Sequence, residues 1–216
     1  MTADVVIIGG GVMGSAVAYF LRQGGFGGKV VVVERDLTYR YASSALSVGG
    51  IRQQYGTAVN IWLSRASLEF YERFADHLEV GGERPNITLK QRGYLFLADV
   101  AQWPVMQRWH RLQRDQGVEV ALLTPEEVRR VASELTLDGI HGASYGWRDG
   151  TLDPSSALQG FAKKARALGV TYLEDEVIGI GVAHGRITGV TGRQCGVIAA
   201  GIVVNEGADP DVARDI

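Results

Sequence analysis

Three glycines and one acid within the first 34 residues carry the clearest chemistry in this chain. Gly9, Gly11 and Gly14 form a G-x-G-x-x-G turn, and Glu34 follows about 20 residues beyond the last of them. The first glycine permits a tight turn and the second lets a pyrophosphate approach the backbone. The third lets a helix pack closely on a strand. Backbone amides and the positive end of a helix dipole then face the phosphates. A carboxylate at Glu34 suits hydrogen bonds from ribose hydroxyls. Together they describe a cradle for an ADP-containing cofactor.

The turn has the flanks that this chemistry needs. Residues 5–8 are a continuous apolar run with β-branched members, the pattern of a strand buried on both faces. A helix is predicted over 12–23, stopped by Gly24 and Gly25. A second strand over 29–34 ends on Glu34. An ordinary strand-turn-helix with a solvated Glu34 is the bland alternative, and a lone glycine motif would not exclude it. The matching strand, helix and acid weigh against it.

The totals exclude several classes. Hydrophobic residues at 46% and charged residues at 21% describe an ordinary globular protein, and a net charge of −2 offers no handle for nucleic acid or an anionic membrane. Cys195 is the single cysteine among 216 residues, so no internal disulfide forms and a reducing compartment is natural. The first strand starts almost at Met1, leaving no room for a signal peptide, and no apolar run approaches the ~20 residues of a membrane span. The expected location is cytoplasmic.

Further along, residues 36–55 are rich in small residues, with Gly49 and Gly50 ahead of Arg52, a composition suited to close approach of backbone to a ligand. A long helix is predicted over 57–78, with Trp62, Ala66, Phe70, Phe74 and Leu78 on one face at i+4 spacing. Such an aromatic stripe reads as core. Paired strands are predicted over 87–90 and 94–97, and a helix over 101–116. Thr124, Pro125 and Glu127 have the form of a capping box opening another helix. A strand over 139–147 precedes a helix capped at Asp153 that runs to Gly169. Strands are predicted over 170–173, 176–182, 186–191 and 201–204, with Ala183-His184-Gly185 signalling a hairpin.

In combination, these stretches resemble the FAD-dependent oxidoreductases of the D-amino-acid oxidase and sarcosine oxidase type. The G-x-G-x-x-G turn, Val33-Glu34-Arg35, Ala42 through Tyr55, Gly93 through Ala98, Asp149 through Pro154 and Glu176 through Ile180 all fit that pattern across the whole chain. The resemblance implies an α/β fold: a Rossmann-like FAD-binding domain of the glutathione-reductase type, interleaved with part of a mostly antiparallel substrate-binding sheet. The expected FAD-binding segments are 1–84 and 148–216, around a substrate-domain segment at 85–147.

The resemblance also implies an enzyme, a flavin-dependent amine or amino-acid oxidase or dehydrogenase. It places Gly9, Gly11, Val12, Met13 and Gly14 on the pyrophosphate, Glu34 on the adenosine ribose and Arg35 beside it. Ser43 and Ser44 fall on the pyrophosphate and ribityl side. Gly49, Gly50 and Ile51 lie along the isoalloxazine, Val177 meets the adenine through its backbone, and Arg52 reaches the substrate. A planar guanidinium suits a substrate carboxylate, which it can bind through two parallel hydrogen bonds; a salt-bridged structural arginine is the plainer reading of Arg52. His77, His110, His141 and His184 show no metal-ligand or triad spacing.

Two departures stand out. Glu206 occupies a place where the family has a small residue, and the family pattern continues for about as long again beyond Ile216, with much of the substrate sheet and a basic catalytic residue. The competing expectation is therefore an FAD-binding module or truncated subunit without activity of its own, which self-associates or pairs with a partner subunit through unpaired strand edges. An NAD-dependent enzyme is a third reading, since Glu34 would serve either cofactor; the stretch from Ser43 to Tyr55 favours FAD.

Overall fold

A computed structural model of the chain describes residues 1–205. It begins with β1 (Val5–Ile8), α1 (Val12–Gln23), β2 (Val30–Glu34), β3 (Gly50–Ile51), α2 (Ala58–Glu72) and α3 (Phe74–Leu78). Next come β4 (Tyr94–Ala98), α4 (Trp103–Asp115), β5 (Val120–Leu123), α5 (Pro125–Val131), β6 (Gly142–Gly146) and β7 (Gly150–Thr151). The remaining elements are α6 (Pro154–Ala167), β8 (Thr171–Glu174), β9 (Val177–Ala183), β10 (Arg186–Gly192), β11 (Gly196–Ala199) and β12 (Ile202–Asn205). The class is α/β, with one parallel sheet and separate antiparallel sheets. Among the described residues, Met1–Ser47, Leu78–Asn86 and 154–205 form one unit; Val48–His77 and Ile87–Asp153 form the other.

In the first unit a parallel sheet runs in the order β12-β1-β2-β8, with Val5 opposite Val30 and Val31 opposite Thr171. Valine and isoleucine fill β1 and β2 because both faces are covered. Val6, Val31 and Val33 share one face and pack on Val177, Val190 and Ile198 of the antiparallel sheet β9-β10-β11. Alternation leaves Ile7, Val30 and Val32, all fully buried, for the opposite face. The β9–β10 hairpin turns on His184 and Gly185, with φ of +53° and +71°, the two positive values of a type I′ turn.

In the second unit β4 and β5 both pair antiparallel to β6, with Phe96 and Leu122 opposite Ser144. One face carries Leu95, Leu97, Leu123 and Ala143 onto Val128 of α5. The predicted capping box opens α5 in full: the Glu127 N–H donates to Thr124 Oγ1, and the Thr124 N–H donates to Glu127. The short pair β3–β7 sets Gly50 opposite Thr151 and Ile51 opposite Gly150.

Several expectations are corrected. The helix expected over 57–78 divides at Arg73 into α2 and α3. Phe74 and Leu78 of the expected stripe are buried in α3, whereas in α2 the buried residues are Ile61 and Leu68, and Trp62 is 64% exposed. Residues 87–90 form no strand: Lys90 makes one bridge to Thr151, and β4 takes β6 as its neighbour. The strand expected over 201–204 is β12 (Ile202–Asn205), at one end of the described parallel sheet. Val48–His77, assigned by sequence to the first FAD-binding segment, pack with Ile87–Asp153. Glu206 lies outside the described residues.

Asp175 ties together two turns of the first unit. Its carboxylate accepts the backbone N–H groups of Glu176 (2.8 Å), Gln194 (3.1 Å) and Cys195 (2.8 Å). Hydrogen bonding from the Cys195 side chain, and then from these backbone groups, lowers its pKa from 3.8 to about 2. A folded value below the unfolded one means that the ionised group stabilises the fold fully above about pH 4, a contribution lost as pH falls through about 2. Asp175→Asn removes that contribution, so thermal unfolding followed from pH 5 downward shows a lower Tm at pH 5 and a shallower fall between pH 4 and 2. Parallel curves for the two proteins would assign the acid lability to other carboxylates.

Candidate functional site

The glycine turn is built by the first two strands. β1 delivers the chain to Gly9, whose φ of +94° is a conformation that glycine alone adopts without strain. The Gly9 N–H donates to the Val33 carbonyl at 2.8 Å, which pins the turn to β2. At the end of β2, Glu34 Oε2 accepts the N–H of Gly10 at 2.7 Å and Oε1 accepts the N–H of Asp36 at 3.1 Å. The acid is thus fixed against the turn, and each oxygen keeps further acceptor capacity.

Gly11, before α1, provides no side-chain cap. Ser44 Oγ accepts the Val12 N–H at 3.1 Å, bringing a distant loop to the first helical turn. Met13 stands 64% exposed beside it, while Gly14 is buried. Ser43 is exposed next to Ser44. Arg35 lines an open cleft with Asp36, Tyr41, Glu176 and Arg193. Val177 starts β9 with its side chain in the core beside Val31 and Val33.

Gly49, Gly50, Ile51 and Arg52 belong to the second unit. The Gly49 carbonyl accepts the Leu152 N–H at 2.9 Å, and Gly50 and Ile51 are β3 itself. Directly after them, the Arg52 guanidinium carbon lies 4.8 Å from the Tyr55 ring centroid and 5.4 Å from that of Phe96. Cation–π contact of this kind holds a charged group among aromatic rings without a counter-ion. Arg52 Nε is buried without a hydrogen-bond partner, and the side chain faces a cavity of about 320 Å³.

A polar network not recognised in the sequence positions this arginine. Asp149, 1% exposed, accepts the Gln53 N–H through Oδ1 at 2.8 Å and Gln54 Nε2–H through Oδ2 at 3.0 Å. Gln54 also donates to the Tyr94 carbonyl at 2.8 Å and accepts the Ser144 hydroxyl at 2.5 Å. Burial pushes the Asp149 carboxyl up, against hydrogen bonds from Gln54 and Gln53 and the positive charge of Arg52. Gly146 leaves the room this requires, since a Cβ there would sit 2.6 Å from Asp149 Oδ2. Gln53, Gln54 and Asp149 lie inside stretches that carry the family resemblance, yet no local spacing links residues almost a hundred positions apart. Among the described residues no group of three His, Cys, Asp or Glu could hold a metal ion, and no helix is long and apolar enough to cross a membrane.

The family model described as FAD dependent oxidoreductase (DAO) matches residues 4–215. The FAD-dependent oxidoreductase domain-containing protein 1 of Bos taurus is 40% identical over 182 residues, covering 81% of this chain and 37% of that protein. Sarcosine oxidase subunit beta of an Arthrobacter species is 30% identical over 213 residues, covering 95% of this chain and 51% of its own. The crystal structure of L-proline dehydrogenase from P. horikoshii superposes with a TM-score of 0.81 at 31% identity, over 95% of this chain and 52% of that one. The chain therefore spans between about a third and a half of the length of these curated relatives.

The residues present fit the family's cofactor, FAD. The first turn of α1 presents backbone amides for anionic phosphates. Glu34 is an acceptor-only group held against the glycine turn, the chemistry that ribose hydroxyls require.

The Asp149 network generates a stability prediction. Asp149→Ala leaves the Gln53 N–H and one Gln54 amide hydrogen buried without acceptors, at about 1–3 kcal/mol for each unsatisfied group. Denaturant unfolding of the variant shows a loss of at least about 2 kcal/mol with an unchanged m-value. A loss under about 0.5 kcal/mol would mean that water replaces the carboxylate at no cost.

Proposed function

Because the chain belongs to the FAD-dependent oxidoreductase (DAO) family, we propose that it oxidises the C–N bond of an amino acid or secondary amine. The observation that carries this reading is Arg52, a cation held between Tyr55 and Phe96 at the wall of a cavity, with a buried donor left over. Bound FAD supplies the acceptor for a hydride from the carbon next to the substrate nitrogen, and the resulting imine hydrolyses.

The tasks of the protein groups follow from their chemistry. The backbone at Gly9, Gly11, Val12, Met13 and Gly14 holds the pyrophosphate, assisted by Ser43 and Ser44. Glu34 takes the ribose hydroxyls, with Arg35 and the Val177 backbone at the adenosine end. Gly49, Gly50 and Ile51 offer a strand with little side-chain bulk for the flat isoalloxazine ring. Arg52, one residue later, binds the substrate carboxylate through its fork and so orients the reacting carbon. Its aromatic neighbours keep water from the charge, which strengthens that contact. The exposed free thiol of Cys195 suits a reducing compartment, which we take to be the cytoplasm.

Two measurements test these assignments. A carboxylate bonded to ribose hydroxyls contributes about 1.5–3 kcal/mol, so Glu34→Ala raises the FAD dissociation constant about tenfold or more. An unchanged FAD titration would remove Glu34 from the ribose. Arg52→Lys keeps the charge and loses the fork. In the FAD-loaded protein it leaves the flavin bound and raises the apparent KM for carboxylate-bearing amines, sparing amines without a carboxylate. Equal damage to both substrate types would assign Arg52 to the flavin or the fold.

A further inference from the structure

The cavity beside Arg52 holds a second unpartnered polar group, on α4. Gln113 is 3% exposed, and its Nε2 donates to the Tyr55 carbonyl at 3.0 Å. That bond sets the orientation of the amide, because a carbonyl accepts only from the nitrogen end. Gln113 Oε1 is left buried with no hydrogen-bond partner, while the residue lines the same cavity as Arg52. A buried amide oxygen without a protein donor is costly, and it is available to a donor that enters the cavity. The two groups are also mechanically linked: Tyr55 takes the Gln113 amide through its carbonyl and carries the Arg52 guanidinium over its ring. Phe96, Val105, Met106 and Trp109 form a large apolar part of the wall; Gln102 is polar, and Gln54 and Ser144, also in the wall, are hydrogen-bonded to each other.

From these observations, and resting on the amino-acid reading above, we propose that Gln113 is a substrate-recognition residue. Its Oε1 accepts a hydrogen bond from the substrate amine while Arg52 takes the carboxylate. The apolar wall selects amino acids with a bulky apolar or aromatic side chain. The chemistry is complementary: Arg52 offers a cation for an anion, and Gln113 Oε1 is the buried acceptor in this wall that no protein donor occupies. The apolar part of the cavity serves the part of the substrate with neither. Its volume of about 320 Å³ matches about ten water volumes, whereas glycine has about half as many non-hydrogen atoms. A small amine would leave most of this wall wet, and a phenylalanine-sized substrate would cover it.

The test uses the full chain loaded with FAD and reads ligand affinity by calorimetry and by the change in flavin absorbance. The probes are phenylalanine (each enantiomer), glycine and 3-phenylpropionate, which keeps the ring and carboxylate and lacks the amine. The unaltered protein binds one phenylalanine enantiomer at least about tenfold more tightly than glycine. Gln113→Leu weakens that phenylalanine about tenfold and leaves 3-phenylpropionate within about twofold, since only the first has a donor for Oε1. Gln113→Met, unbranched and close to glutamine in volume, also removes the acceptor without adding a charge, so it repeats the selective loss should the leucine variant fail to fold. Equal effects on phenylalanine and 3-phenylpropionate, or none on either, would overturn the role of Gln113. Glycine binding as tightly as phenylalanine would overturn the selection by the wall. Arg52→Lys is the separate control: it weakens both carboxylates alike, and its failure to do so, with the Gln113 effect intact, would refute the carboxylate assignment alone.

Discussion

The carboxylate of Asp149, buried between Gln53 and Gln54, sets where Arg52 stands. A carboxyl group this far from water is tolerated because the Gln53 N–H and the Gln54 amide replace its hydration. The bond to Gln53 fixes the backbone immediately after Arg52, and Gln54 is held in turn by Ser144 and the Tyr94 carbonyl of the antiparallel sheet. The short β3–β7 pair fixes the backbone immediately before it. A guanidinium on an otherwise irregular stretch thereby gains a defined origin, and Tyr55 and Phe96 restrict where it can swing. The charge relation runs both ways, since Arg52 lowers the cost of keeping Asp149 ionised while burial raises it.

The first unit applies the same economy to a backbone turn. Glu34 accepts the Gly10 and Asp36 N–H groups, so the acid at the end of β2 is immobilised before any ligand arrives. Ser44 does the same for the first turn of α1 by accepting the Val12 N–H. Preorganisation of this sort spares a ligand the entropy of ordering the groups that bind it. The parallel sheet makes it affordable, because Val6, Val31 and Val33 are clamped against the antiparallel sheet on one face.

Some of this architecture is written in short stretches and some is not. The all-apolar β1 and β2 could only be strands covered on both sides, and the glycine turn between β1 and α1 has one compact solution. The capping box at Thr124 and the His184-Gly185 turn are equally local, because each is closed by residues within four positions of one another. The aromatic stripe reaches the core at Phe74 and Leu78 and fails at Trp62, for a physical reason. Spacing of i+4 shows which residues share a helix face and says nothing of which face turns inward; Ile61 and Leu68 won the core. Residues 87–90 have strand composition without a strand, since a strand exists only when a partner supplies the other half of its ladder.

Taken alone, the sequence determined the glycine turn, the acid that faces it, the class of the fold and the family, all of which depend on residues close together in the chain or on their order. Tertiary structure alone decided what surrounds Arg52. Asp149 reaches Gln53 across 96 positions, and Gln113 reaches Tyr55 across 58. Neither pairing leaves a periodicity or a motif, because a hydrogen bond between distant segments constrains their positions in space and not their spacing in the chain. The unpaired oxygen of Gln113 is the extreme case. In sequence it is one polar residue on an amphipathic helix, and only packing shows that its amide nitrogen is satisfied, its oxygen is not, and both lie at the wall that holds the arginine.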